Sequence, residues 1–207
     1  MMQRMNAWLR RVPEWAVWAA AALPLSLLVY DTLTGRLGVD PIRDIEHRLG
    51  RTALYFLIGS LAITPLRRVF RLNAIHLRRA LGLVAFSYAA LHLAAWVVFD
   101  MGLLWSQMLK DVVKRPYLVF GMTAFVILIL LAATSNRYSI RRLGRRWGKL
   151  HKLVYAAAIL ACLHWLWALK LWDAWPLFCA GMILGLLLVR LGFWVARQSK
   201  ISIKSAS

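Results

Sequence analysis

The sequence predicts an all-α integral membrane bundle of six transmembrane helices, with both termini in the cytoplasm. Three observations carry this expectation. Hydrophobic residues make up 61% of the 207-residue chain, whereas a soluble domain is about 45–50% apolar. Those residues gather into six long runs. Lys and Arg concentrate in alternate connections between the runs, as short cytoplasmic loops require. One domain covering residues 1–207 is the natural organisation, because no soluble segment is left over.

The runs are Trp15–Tyr30, Thr52–Leu66, Ala80–Phe99, Tyr117–Thr134, Leu150–Leu169 and Ala174–Val195. A span needs about 20 residues, with a range of about 17–25. The last four meet that length. The first two are short unless flanking side chains snorkel or the bilayer thins. Arg10 and Arg11 before the first run resemble the basic end of a signal peptide. Pro24 and the unbroken apolar stretch to Tyr30 argue for a retained span.

Loop charges set the orientation. The first tail carries Arg4, Arg10 and Arg11. The connection after the second run carries Arg67, Arg68, Arg71, Arg78 and Arg79, and the one after the fourth carries Arg137, Arg141, Arg142, Arg145, Arg146 and Lys149, neither with an acid. Arg197, Lys200 and Lys204 follow the last run. The opposite connections are mixed: residues 31–51 hold four basic and four acidic side chains, and residues 100–116 hold Lys110, Lys114 and Arg115 against Asp100 and Asp111. Lys170 and Asp173 complete that side. Trp105, Trp172 and Trp175 fall at the outer interface and Trp8 and Trp147 at the inner one, where amphipathic rings anchor.

This distribution accounts for the net charge of +19. Its default partner is anionic lipid and not nucleic acid. Cys162 and Cys179 both lie in apolar runs, where cysteine behaves as a small packing residue. No dinucleotide fingerprint, P-loop or zinc-protease motif is present. No acidic residue lies deep in a run, which weighs against a proton-coupled transporter.

The chemistry rests on histidine. His92 and His164 lie well inside apolar runs, where an ionisable ring costs free energy unless it has a partner. One reading is a ring hydrogen-bonded to a neighbouring helix; the sharper one is axial ligation of iron porphyrin. Their two spans run in the same direction. His92 is about twelve residues into its span and His164 about fourteen, so at 1.5 Å per residue their heights differ by about 3 Å. His151 lies 13 residues before His164, about 20 Å lower and roughly 140° around a straight helix. A kink or π-bulge would realign it. Ligation of a second heme, a flavin contact and a plain interfacial role all stay open for His151. His76, among arginines, is expected to be a solvated loop residue. His47, before the second run, is expected to be structural or to touch a partner.

Four segments carry a family resemblance: DPIRDIEHRLGRTAL, RRALGLVAFSYAALHL, KRPYLVFGM and LGRRWGKLHKLVYAAAILACLHWLW. Together they resemble the MsrQ (YedZ) family, the heme-binding membrane subunits of bacterial periplasmic methionine sulfoxide reductase systems, within the wider ferric-reductase-like transmembrane group. The likeness covers nearly the whole chain. It implies a multi-pass protein of the bacterial inner membrane that carries heme b and FMN. It implies electron delivery to a periplasmic molybdopterin-containing (MsrP-like) catalytic subunit, on which sulfoxide reduction occurs. His92 and His164 match the family's axial iron ligands and His151 its third membrane histidine. The wider group often carries two histidines on each of two helices; here the position 13 residues before His92 is Arg79, so a second bis-histidine site lacks its fourth ligand. Phosphate chemistry makes the inner arginines candidates for the flavin.

The expected function is therefore membrane electron transfer, with electrons entering from a cytoplasmic flavin reductase or from quinol. The outer segments Asp31–Arg51 and Asp100–Pro116 are the expected docking surface. The alternatives are a stand-alone quinol or ferric reductase and, in a different class, a histidine-lined transporter or channel.

Overall fold

A computed structural model describes residues 2–169 and 173–206, with side chains through residue 199. Lys170 and Trp172, and the side chains of Lys200 and Lys204, lie outside the described residues. Ten α-helices are present among them: α1 Met2–Arg11, α2 Glu14–Leu33, α3 Pro41–Val69, α4 Arg78–Ala95, α5 Trp105–Lys114, α6 Pro116–Ala133, α7 Arg137–Leu143, α8 Arg145–Leu150, α9 Leu153–Ala168 and α10 Ala174–Ala206. A 3₁₀ turn (Ile75–Leu77) leads into α4 and a π-helical turn (Trp96–Asp100) extends it. Six helical stretches, built on α2, α3, α4, α6, α8 with α9, and α10, are long and apolar enough to cross a bilayer.

Helix boundaries follow local chemistry. Asp40 caps α3 by accepting the Arg43 amide at 3.1 Å, and Pro41 occupies the first turn, where a missing N–H costs nothing. Pro116 opens α6 in the same way. Asn136 caps α7 through the Ser139 amide at 2.8 Å. Gly144 separates α7 from α8 with φ of 50°, a left-handed conformation that glycine adopts without a Cβ penalty.

Hydropathy alone underestimated α3. The helix begins at Pro41, eleven residues before the expected start at Thr52. The added turns are charged yet helical. Arg48 bonds Asp44 at 3.0 Å one turn back and Asp31 on α2 at 2.5 Å, which ties the two helices together. The expected outer segment of residues 31–51 therefore contracts to a connection of residues 34–40. The other outer segment contains α5. The expected fifth run is broken: His151 and Lys152 form a turn between α8 and α9.

Two antiparallel pairs form the centre of the bundle, α3 with α4 and α6 with α9. Between them lies a core of Leu54, Leu57, Ile58, Leu61, Ala85, Leu128, Ala157, Ala158 and Cys162, closed from α10 by Cys179 and Ile183. Ala157 and Ala158 are fully buried, which lets helix backbones approach as membrane packing favours. Both cysteines are buried and free. A second cluster joins α2 to α3 and α4 through Val17, Ala21, Leu28, Leu49, Ala80, Val84 and Tyr88.

Prolines inside α2 and α3 leave carbonyls without their helical donor. Pro65 has no N–H for the Leu61 carbonyl. Arg190 Nη2 on α10 donates to that carbonyl at 2.5 Å instead, while Nη1 donates to the Tyr155 hydroxyl at 2.7 Å. On α2, the Tyr88 hydroxyl of α4 donates to the Ala21 carbonyl, one residue past the carbonyl that Pro24 leaves without a donor. One end of the bundle gathers the basic connections. There Asn6 of α1 donates to the Arg71 carbonyl and accepts the Asn73 amide. His76 is half-buried and its Nε2–H donates to the Val12 carbonyl at 3.0 Å. The expected solvated histidine is therefore a clamp between the N-terminal segment and the loop before α4.

Candidate cofactor site between α4 and α9

The two central helix pairs bring His92 on α4 and His164 on α9 together. Their ring centroids are 6.2 Å apart with planes at 71°. Two imidazoles binding one metal ion from opposite sides, each through a bond of about 2 Å, have centroids roughly 6 Å apart. The spacing fits a shared ion.

Each ring is held the same way. His92 Nδ1–H donates to the Glu46 carbonyl of α3 at 2.9 Å, and His164 Nδ1–H donates to the Tyr117 carbonyl of α6 at 2.8 Å. A carbonyl only accepts, so Nδ1 must carry the proton. That fixes the tautomer and leaves the Nε2 lone pair free for a metal, which is the orientation that outer carbonyl partners impose on ligating histidines.

Glycine makes both contacts possible. In a helix, the side chain at i+4 lies over the preceding turn. Four residues after Glu46 stands Gly50, and four after Tyr117 stands Gly121. A Cβ at Gly50 would meet His92 Nδ1 at 3.2 Å, and one at Gly121 would meet His164 Nδ1 at 2.7 Å. Each histidine thus lies in a cradle of one carbonyl and one glycine supplied by its partner helix. Sequence reasoning missed these four residues. Their signal is a pair of glycines within DPIRDIEHRLGRTAL and KRPYLVFGM, but nothing local to those segments says that an imidazole packs on them.

A cavity of about 800 Å³ surrounds the pair, within the roughly 300–1,000 Å³ typical of cofactor sites. Its depth is apolar, with Leu54, Leu57, Ala85, Ala89, Phe125 and Leu128. Its mouth is charged, with Arg43, Arg51, Lys114 and Arg115 beside Asp40, Glu46 and Asp100. His47 lines that mouth. A flat apolar ring system with ionised carboxylates at one edge suits this division, since the carboxylates would meet guanidinium and ammonium groups and the ring would lie in the apolar depth. The donor set, the spacing and the cavity all fit a heme.

His151 stands apart. Its ring stacks on Trp147 at 4.0 Å, and its Nε2–H donates to Thr134 Oγ1 at 3.2 Å. That hydroxyl in turn donates a hydrogen bond to the Leu130 carbonyl at 2.7 Å. Trp147 Nε1–H donates to the Thr134 carbonyl at 2.9 Å. Trp147, the tryptophan expected at the inner interface, covers His151. The turn at residues 151–152 sets the direction of the ring, and its contacts are Trp147 and Thr134, with no facing histidine. Trp105 and Trp175, by contrast, are largely exposed, as anchors are.

The chain is similar to known proteins over most of its length. Residues 49–162 match the family described as ferric reductase like transmembrane component. Over 193 residues the chain is 45% identical to the protein-methionine-sulfoxide reductase heme-binding subunit MsrQ of Brucella anthropi, covering 92% of this chain and 88% of that protein. The protein of the same name from Brucella ovis is 42% identical over 190 residues, covering 92% and 86%.

Proposed function

The chain belongs to the ferric-reductase-like transmembrane family, among the MsrQ heme-binding subunits of methionine sulfoxide reductase, and from that premise we propose that it binds heme b between His92 and His164 and carries electrons across the bacterial inner membrane. The observation that supports this reading best is the matched cradle, which points two Nε2 lone pairs into one cavity. A bis-imidazole heme supplies one-electron transfer.

The residues around it have separate tasks. His92 and His164 would hold the heme iron through their Nε2 atoms. Glu46 and Tyr117 carbonyls hold the ring orientation. Leu54, Leu57, Phe125 and Leu128 exclude water, which lowers the local dielectric. Arg43, Arg51, Lys114 and Arg115 are the candidates for the two porphyrin carboxylates.

The direction of flow follows the loop charges. With the basic end in the cytoplasm, electrons enter there from a flavin reductase or from quinol. They leave at the cavity mouth toward a periplasmic molybdopterin-containing catalytic subunit, where methionine sulfoxide is reduced. The docking surface is residues 34–40 together with α5. Its mixed charges suit a specific polar contact. FMN is assigned to the basic end with His151 as a contact. His151 Nε2 is already committed to Thr134, which favours a flavin contact over ligation of a second iron.

The test is a reduced-minus-oxidised absorption spectrum of the purified protein, with heme and flavin quantified. One heme per chain is expected. His92→Ala and His164→Ala should each abolish the low-spin signal, and His151→Ala should spare heme and lose flavin. Wild-type spectra from both of the first two variants would sink the ligand assignment, and a colourless protein would favour the transporter reading. Reduction of ferric chelates without any periplasmic partner would favour a stand-alone reductase.

A further inference from the structure

Arg190 is the one charged side chain in the apolar stretch 174–195, and hydropathy reading passed over it. Two of its nitrogens serve Tyr155 and Leu61. Its Nε is buried with no partner. Arg68, at the end of α3, stacks its guanidinium 4.9 Å from the Phe193 ring, one turn beyond Arg190 on α10. Arg78, at the start of α4, is held against α3 by Ser60 Oγ–H donating to its carbonyl at 3.3 Å. Both cations lie within electrostatic reach of Arg190. Among the described residues, the arginines paired with carboxylates are Arg48, Arg79 and Arg115. The three at this site have no acid to offset them.

Like charges converging at the edge of a low-dielectric bundle repel strongly. An anion lodged among the three guanidiniums would offset that repulsion. Guanidinium groups match phosphate oxygens in geometry and charge. The surroundings identify the carrier. Val69 and Phe70 at the end of α3 and Leu191 and Trp194 on α10 are exposed apolar side chains, a surface for acyl chains and not for water. Basic pockets between transmembrane helices at the cytoplasmic level bind anionic lipid headgroups.

We propose that Arg68, Arg78 and Arg190 form a binding site for the phosphate of an anionic phospholipid, between the basic ends of α3, α4 and α10. The proposal rests on the membrane-spanning fold and not on the heme assignment.

The experiment is native mass spectrometry of the delipidated full chain after addition of phosphatidylglycerol or phosphatidylcholine. Arg190 stays intact because it also holds the Leu61 carbonyl; the variant is Arg68→Gln with Arg78→Gln. Circular dichroism and gel-filtration elution check its fold independently of heme content. Wild type should retain one phosphatidylglycerol in preference to phosphatidylcholine, and the double variant should lose that retained lipid. Equal retention by both proteins, or no preference for the anionic lipid, would overturn the proposal. Displacement of the lipid by millimolar inorganic phosphate or by FMN would reassign the site to a soluble phosphate ester, and would overturn it as well.

Discussion

Gly121 and Gly50 govern the site without carrying any chemistry themselves. In a helix, alanine ordinarily improves on glycine by about 1 kcal/mol, so Gly→Ala at a neutral position stabilises. Here the sign reverses, because the new methyl would occupy the place of an imidazole. Gly121→Ala, with its 2.7 Å approach, should misplace His164, whereas Gly50→Ala at 3.2 Å asks His92 to yield by a few tenths of an ångström. Overpacking costs about 1–3 kcal/mol, or about one to two orders of magnitude in heme affinity. Heme titration should rank the variants wild type, Gly50→Ala, Gly121→Ala, with unchanged helicity. An unaffected Gly121→Ala would mean that the ring does not rest on α6. Thr134→Val tests the other histidine: it removes the acceptor of His151 Nε2–H and should weaken flavin retention while leaving heme absorption intact.

The proline within α3 is answered by a polar side chain from a neighbouring helix. The Leu61 carbonyl has lost its donor to Pro65 and gained one from Arg190. Arg190→Leu should therefore cost about 1–3 kcal/mol for an orphaned buried acceptor. In a Pro65→Ala background the helix supplies its own N–H, so the penalty should shrink. A double-mutant cycle in detergent should read a coupling of about 0.5–3 kcal/mol, and additive penalties would mean that the contact has no energetic role. At this scale the sequence was legible only in part. Hydropathy found the apolar centre of every span, because burial in lipid needs a continuous apolar run. It cut α3 short because Arg43, Asp44, Glu46 and Arg48 look like a loop to an average. They are helical because the Asp40 cap starts the helix and the Arg48 ion pairs support it.

For the whole molecule, six spans place both termini on one face, and the proposed topology takes that face as the cytoplasmic one on the strength of the loop charges. Single cysteines test this against a quiet background, since Cys162 and Cys179 are 8% and 2% exposed. A membrane-impermeant maleimide applied to intact spheroplasts should label Thr34→Cys and Ser106→Cys, and should label Ser139→Cys only after lysis. The opposite pattern would invert both the topology and the direction of electron flow.

Composition, loop charge and helix rise by themselves determined the membrane class, the number of spans, the expected sidedness and the shared level of His92 and His164. Those properties are set by the lipid solvent and by regular helix geometry, which act on every residue alike. The tertiary structure decided the rest. It showed that α3 and α6 supply the carbonyl and glycine cradles, that Arg190 answers Pro65, and that His151 turns to Trp147 and Thr134. Each of these joins residues far apart in sequence, and each depends on which helices are neighbours and how they are rotated. No one-dimensional pattern encodes that rotation directly, because it emerges from close packing of the whole bundle.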